Sequence, residues 1–378
     1  MPLQAASSPY LREDFEHRLA GRLRAAAAGR QSLRLVGGGT KDFLGNALCG
    51  EPLVLRELAT VEADALLAAV DHDAAELVVT APALLPLAML EQVLAAAGQQ
   101  LPFEPPRFAA GGTVGGCVAA GLSGPRRRSA GPWQGSVRDF LLGARVVDGQ
   151  GRVLTPGGRV MKNVAGFDLA RAMAGSFGIL GVLTEVSIKV LPVPPAERTL
   201  VFEVDEARAL AMTAGWTSLP LPVSATAWRT GRLWVRLAGA GSAVAAAASV
   251  LGGQEVAAAQ APWECLRDQT DDWFQAPGAL WRCSLPANAP SLVLPGEQVI
   301  EWGGCQRWLR THSSAEAVRA RVTALGGHAT LFRGASPQQR VAGVFTPLPP
   351  ALLHLHARLK HEFDPAGILN PGRLVTGL

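Results

Sequence analysis

Residues 111–124 read Gly-Gly-Thr-Val-Gly-Gly-Cys-Val-Ala-Ala-Gly-Leu-Ser-Gly. Glycine this dense weakens helix and strand interiors, so the stretch is expected to be a loop, not a packed strand or a stable helix. Such a loop offers bare N–H groups that can approach one anion together. Two further stretches share the character: Val36-Gly37-Gly38-Gly39-Thr40-Lys41 upstream and Gly175-Ser176-Phe177-Gly178-Ile179-Leu180-Gly181 downstream. A fold that gathers all three around one phosphate-bearing cofactor is the expectation. No G-x-G-x-x-G follows an expected strand and no G-x-x-x-x-G-K-[ST] occurs, so Rossmann and P-loop sites are unsupported.

The chain has 378 residues, 48% of them hydrophobic and 17% charged, which excludes a disordered protein and admits two or three domains. The net charge of +4 comes almost wholly from arginine, since the lysines are Lys41, Lys162, Lys189 and Lys360. That balance fits an anionic cofactor or substrate and argues against nucleic acid. Cys49, Cys117, Cys265, Cys283 and Cys305 have neither zinc nor iron–sulfur spacing and fit reduced thiols in the cytoplasm. Met1–Pro9 lacks the pattern of a secretory signal. The charge-free run Leu237–Gln254 is Ala- and Gly-rich and suggests a buried helix, not a transmembrane segment.

Apolar spacing predicts a helix over 11–30, strands over 33–36 and 52–55, a helix over 60–70 with Thr60 as N-cap, a strand over 76–80 and a helix over 84–97. Strands at 139–148, 152–155 and 182–191 follow, with a short helix capped by Asp168 before the last. The proline cluster Pro192, Pro194, Pro195 marks a boundary. Beyond it lie all the tryptophans but Trp133. Strands at 199–204, 225–228, 233–237, 307–312 and 329–333 alternate with helices at 206–216, 242–251 and 315–325, an antiparallel α+β pattern. A last helix, 349–363, is expected to turn Leu352, Leu355, Leu359 and Phe363 inward.

The glycine segments, together with Gly135-Ser136-Val137-Arg138-Asp139-Phe140, Met161–Leu169 and the terminal Asn370-Pro371-Gly372, occur in the order seen in the vanillyl-alcohol-oxidase (PCMH-type) FAD-binding family, which the chain resembles over nearly its whole length. Leu122-Ser123-Gly124-Pro125-Arg126-Arg127 and Val160–Leu169 look most like FAD-binding subunits of bacterial glycolate oxidases. The resemblance implies an α+β fold: a PCMH-type FAD-binding domain over 1–195, in two α+β subdomains (about 1–105 and 106–195). A smaller, ferredoxin-like antiparallel cap would span 196–335, and 336–378 would return to the FAD domain.

Carried over, Gly37, Gly38, Gly39, Thr40 and Lys41 would wrap the FAD pyrophosphate with Gly112, Thr113, Val114, Gly115 and Gly116. Ser123, Gly124, Gly135, Ser136 and Val137 would line the ribityl–flavin path. Gly181, Val182 and Leu183 would face the adenine side, and Asn370 would close the flavin end. Lys162 and Asn163 are candidates to face the flavin, although a structural role in their loop fits equally. Arg126-Arg127-Arg128 is either a solvated loop or a contact to FAD phosphate or a partner subunit.

Relatives with covalent FAD place a histidine beside the first glycine loop. Thr40-Lys41-Asp42 stands here, so the FAD is expected to be non-covalent. Hydroxy-acid-oxidising relatives carry a His-x-His metal site. His354-Leu355-His356 matches the string but falls in a predicted helix, where i and i+2 diverge by about 200°, so no metal site is expected. No catalytic residue is singled out. Cys117 is expected to be a small buried residue. The expected role is that of an FAD-binding subunit of a multi-subunit glycolate oxidase, cytoplasmic or peripheral at the inner membrane. Its partners would be a sister FAD-containing catalytic subunit and an iron–sulfur subunit. The alternative is a chain that oxidises the 2-hydroxy acid, or another alcohol or amine, by itself.

Overall fold

Helix Arg12–Ala28 forms because apolar residues recur at helical spacing, and it buries Phe15, Leu19, Leu23 and Ala26. The computed structural model describes residues 12–130, 135–158, 168–257 and 259–378. The segment 159–167, with Lys162 and Asn163, and Trp133 lie outside the described residues. Nine strands follow before residue 195: β1 (Leu33–Val36), β2 (Glu51–Val54), β3 (Asp71–Asp73), β4 (Val78–Pro82), β5 (Gln99–Gln100), β6 (Leu141–Val147), β7 (Val153–Leu154), β8 (Val182–Lys189) and β9 (Leu191–Pro192). β1 and β2 pair in parallel. β3-β4-β8-β6-β7 make an antiparallel sheet, and β5 pairs with β9. Leu85, Leu90, Leu94, Val118, Val146 and Val186 form one core with the first helix.

The second body holds β10 (Ala196–Glu203), β11 (Val223–Arg229), β12 (Arg232–Gly239), β13 (Gln254–Val256), β14 (Leu280–Ser284), β15 (Glu297–Glu301), β16 (Gln306–Arg310) and β17 (His328–Arg333). They form one antiparallel sheet in the order β13-β10-β12-β11-β15-β16-β14-β17. β10 to β13, with helices Glu206–Gly215 and Gly241–Leu251, make a β-α-β-β-α-β unit of ferredoxin-like order. β14 to β17 repeat that strand order, with an irregular segment in place of the first crossover helix. The two units join edge to edge where Ala227 faces Glu301 and Trp228 faces Ile300.

Several local expectations are corrected. Thr60 is not an N-cap: it ends the helix Leu55–Ala59 in a left-handed conformation, and a separate helix, Ala63–Ala68, follows. Asp139 and Phe140 belong to a helical turn, Val137–Phe140, so the strand begins only at Leu141. The central glycine stretch contains a helix, Val114–Ala120, because Thr113 caps it by accepting from Gly116 N at 3.0 Å. Helix Gly241–Leu251 is only half-buried: Val244 and Ala247 face in, whereas Val250 faces water. The last helix, Pro350–Phe363, buries Lys360 and Phe363, while Leu352 and Leu355 are exposed.

The two bodies are held together by charge and by aromatic packing. Arg236 of β12 donates two bonds, at 3.0 and 2.8 Å, to the carboxylate of Glu104. Phe43 and Phe108 of the first body pack edge-on against Phe332 of β17.

Candidate functional site

The three glycine stretches converge on one open cleft. Gly37, Gly38, Gly39, Thr40 and Lys41 line it from one side, Thr113, Gly115 and Gly116 from a second, and Ser176, Phe177, Gly178, Gly181, Val182 and Leu183 from a third. Asn370 closes one end. Gly112 lines an adjoining groove that shares Thr40 and Lys41 with the cleft.

Backbone chemistry explains the glycines in two ways. Gly38 crosses Gly111 so closely that a Cβ on Gly38 would lie 1.6 Å from the Gly111 carbonyl oxygen. Gly39, at φ 66°, faces empty space: a Cβ there would meet no protein atom within 4 Å. Among the described residues, the N–H groups of Gly38, Gly39, Thr40 and Lys41 find no protein acceptor, whereas those of Asp42 and Leu44 turn back onto the loop. Four consecutive orphan donors on a glycine-lined wall fit a diphosphate, which needs convergent N–H groups and close backbone.

Charge agrees with this fit. Lys41 is enclosed, and burial pushes its amine below the ordinary lysine range. Arg373 lines the cleft and clamps the loop through the Asn46 and Asp42 carbonyls; burial first, then the nearby Arg340, push it down to about 10. The second loop is fixed from behind: Leu87 N donates to Gly112 O, Val114 N to Leu85 O and Gly115 N to Ala83 O. Asn370 spans two walls, accepting from Leu35 N at 2.8 Å and donating to Phe177 O at 2.7 Å. Behind it, Lys360 Nζ donates to Asp364 Oδ2 and to the Ile179 and Leu369 carbonyls.

Other candidates stand elsewhere. Val114 points into the core. Gly135, Ser136 and Val137 do not line the cleft. Gly135 packs on the Arg127 backbone, Ser136 forms a capping box with Asp139, and Val137 is core. Ser123 and Gly124 line a separate pocket against the second body. Arg126 reaches Glu197 at 3.3 Å and Arg127 stacks on Trp302, so both lie between the two bodies, away from the glycine cleft. Cys117 is buried, and burial pushes its thiol up to about 12, which makes it inert. Sequence reasoning missed Leu35, Asp42, Ala83 and Arg373 in the lining. Arg373 follows the singled-out Asn370-Pro371-Gly372, which was the available signal.

A family model described as an FAD binding domain matches residues 16–157. Together with the glycine-walled cleft, this makes the chain an FAD-binding oxidoreductase subunit. It belongs to the family of the glycolate oxidase subunit GlcE: the Escherichia coli K12 protein of that name is 43% identical over 97% of this chain and 100% of its own length. The glycolate oxidase subunit GlcD of Bacillus subtilis is 37% identical over 27% of this chain and 21% of its own. Among solved structures, an alkyldihydroxyacetonephosphate synthase superposes with a TM-score of 0.64 at 16% identity, covering 97% of this chain and 76% of that one. At that identity it shows the shared fold.

Proposed function

We propose that this chain is the FAD-holding subunit of a multi-subunit glycolate oxidase that converts glycolate to glyoxylate. The single observation that carries the reading is the run of orphan N–H donors from Gly38 to Lys41 on the cleft wall. The similarity to GlcE and, over a shorter stretch, to GlcD supports an assembly with a sister FAD-containing subunit. An iron–sulfur subunit would receive the electrons, since the chain's own cysteines lack cluster spacing. In this reading 1–195 with 336–378 hold the cofactor and 196–335 cover it.

The unpartnered N–H groups of Gly38–Lys41 would hold the pyrophosphate, with Thr113, Gly115 and Gly116 as the facing wall and Lys41 adding positive charge. Gly181–Leu183 would line the adenine side. Asn370 would fix the spacing of the walls formed by Leu35 and Phe177. When bound, FAD supplies the two-electron acceptor. Binding would be non-covalent: Thr40, Lys41 and Asp42 stand beside the first loop and the described lining carries no histidine. That lining also favours a supporting or electron-relaying role beside a sister catalytic subunit. Because no described helix is long and apolar enough to cross a membrane, the proposed place is the cytoplasm, with membrane contact made through the assembly.

Anaerobic addition of glycolate to the purified subunit separates the roles. A flavin band that persists, with bound FAD confirmed, is expected; bleaching of the band would show that the chain oxidises the hydroxy acid itself.

A further inference from the structure

The last helix, Pro350–Phe363, is anchored at one end only. Near its C-terminus Lys360 donates to Asp364 and to the Ile179 and Leu369 carbonyls, and Phe363 is buried. Near its N-terminus Ala351, Leu352, Leu353, His354 and Leu355 are all exposed. At roughly 100° of rotation per residue, Leu352 falls within about 20° of Phe363 around the helix axis, and Leu353 within about 20° of Lys360. The side that the body covers late in the helix is therefore uncovered at its start, where Leu352 is 47% exposed and Leu353 39% exposed. Leu355, 59% exposed, extends the apolar surface by one turn. The first turns overhang the body and leave a notch beneath them.

Single exposed apolar side chains are ordinary on a folded protein, whereas a contiguous cluster marks an interaction site. Here three exposed leucines fall within four residues. The surface is also stiff. Pro347 and Pro349 restrict the entry, and Pro350 takes the first helical position. A surface fixed in this way loses little freedom on binding. Charge indicates what binds. Residues 317–361 contain no Asp or Glu, but they hold Arg319, Arg321, Arg333, Arg340, Arg358 and Lys360. Among the described residues only Lys360 of these six pairs with a carboxylate, that of Asp364. Arg319, Arg321 and Arg340 donate to backbone carbonyls and Arg333 to the Gln269 side chain, which leaves their charge uncompensated.

That excess of positive charge calls for an acidic partner. Two copies of this chain meeting here would set the same basic stretch against itself. A flat bilayer fits poorly as well, because Leu352 and Leu353 face the same side as the body, which a plane would meet first. A protein element can enter the notch. We propose that the overhanging turns Pro350–Leu355 dock another subunit of the oxidase, which fills the notch with an apolar segment flanked by Asp or Glu. Assigning that subunit to a glycolate oxidase rests on the function proposed above; the acidic, apolar character of the partner does not.

The test is co-expression of the chain with the other subunits of its oxidase, then hydrogen exchange on the free FAD-loaded chain and on the purified complex. Exchange of the amides of 351–356 should slow by about 10-fold or more in the complex. L352D/L355D sets two carboxylates against the partner's own; it should keep its FAD and lower recovery of the partner by about 10-fold or more. V250D, at a 75% exposed position on another helix, should recover the wild-type amount. Unchanged exchange at 351–356, or an L352D/L355D chain that keeps both its FAD and its partner, would overturn the proposal and leave the multi-subunit reading standing. Self-association, or binding to phosphatidylglycerol vesicles, that L352D/L355D abolishes while the partner is still recovered would overturn it by assigning the helix to a second copy or to lipid. A wild type that recovers no other subunit would overturn both this proposal and the multi-subunit reading.

Discussion

At the scale of single residues, glycine and one buried acid set the sharpest expectations. Gly38 and Gly39 are neighbours with opposite reasons to lack a side chain. Gly38→Ala forces a Cβ onto the Gly111 carbonyl; by loop displacement it should destabilise the fold by on the order of 3 kcal/mol. Gly39→Ala adds only left-handed strain, about 1 kcal/mol, but its methyl projects into the open cleft. Chemical denaturation should therefore separate the two variants strongly, while both lose FAD affinity by fluorescence titration. The sequence displayed which stretches were special but not this division, because both glycines look alike until the crossing of two loops is seen. Glu301 gives a pH signature. Its folded carboxyl titrates near 7, above the ordinary 4.5, with burial as the main cause. Its contribution is fully present below about pH 4.5 and is lost as pH rises to 7, on the order of 3 kcal/mol at 1.4 per unit. His328, lowered by burial, drives the opposite trend, so the comparison must be with E301Q, which keeps the histidine. Urea midpoints of the wild type should fall more steeply than those of E301Q between pH 5 and 7.5; parallel curves would contradict this.

At the scale of elements, the last helix shows how the chain's end builds the site. Lys360 is buried against Asp364 and two carbonyls, and Asp364 in turn accepts from Ile368 N and Leu369 N. This knot delivers Asn370 to the cleft. Breaking a buried pair by removing one partner leaves an uncompensated charge and costs about 3–5 kcal/mol. Lys360→Met should lower the urea-derived stability by about that much and reduce the FAD retained on gel filtration, since Asn370 loses its anchor. Helical spacing made the element itself legible in the sequence. Its orientation was not, because a buried lysine contradicts the usual rule for inward residues, and Leu352 and Leu355 were assigned its place. β14 and β15 were missed for a related reason. Arg282, half-buried, interrupts one and Glu301, buried, ends the other, where a local pattern reads such charges as solvent-facing. Likewise, glycine density hid the helix Val114–Ala120, whose start is fixed by the Thr113 cap.

At the scale of the whole molecule, the α+β fold and the meeting of three glycine stretches were readable in order along the chain, because loops of this kind follow strands closely. The joining of two ferredoxin-order units into one eight-stranded sheet was not, since edge pairing between β11 and β15 leaves no local mark. Nor was the tether of Arg236 to Glu104, contacts separated by 132 residues. Burial raises the Glu104 carboxyl, but pairing with Arg236 and then Arg126 outweighs it and holds the group below its ordinary value. Arg236→Met would leave Glu104 facing only Arg126, and limited proteolysis should then cut the linker near Pro192–Pro195 faster than in the wild type. The central claim is that the glycine cleft holds FAD by backbone donors, without a covalent bond. The absorption spectrum of the purified protein, recorded before and after acid precipitation, tests it most directly. A flavin band that moves entirely to the supernatant is the predicted result; a precipitate that keeps its yellow colour, or a protein that shows no flavin band after incubation with FAD, would contradict it.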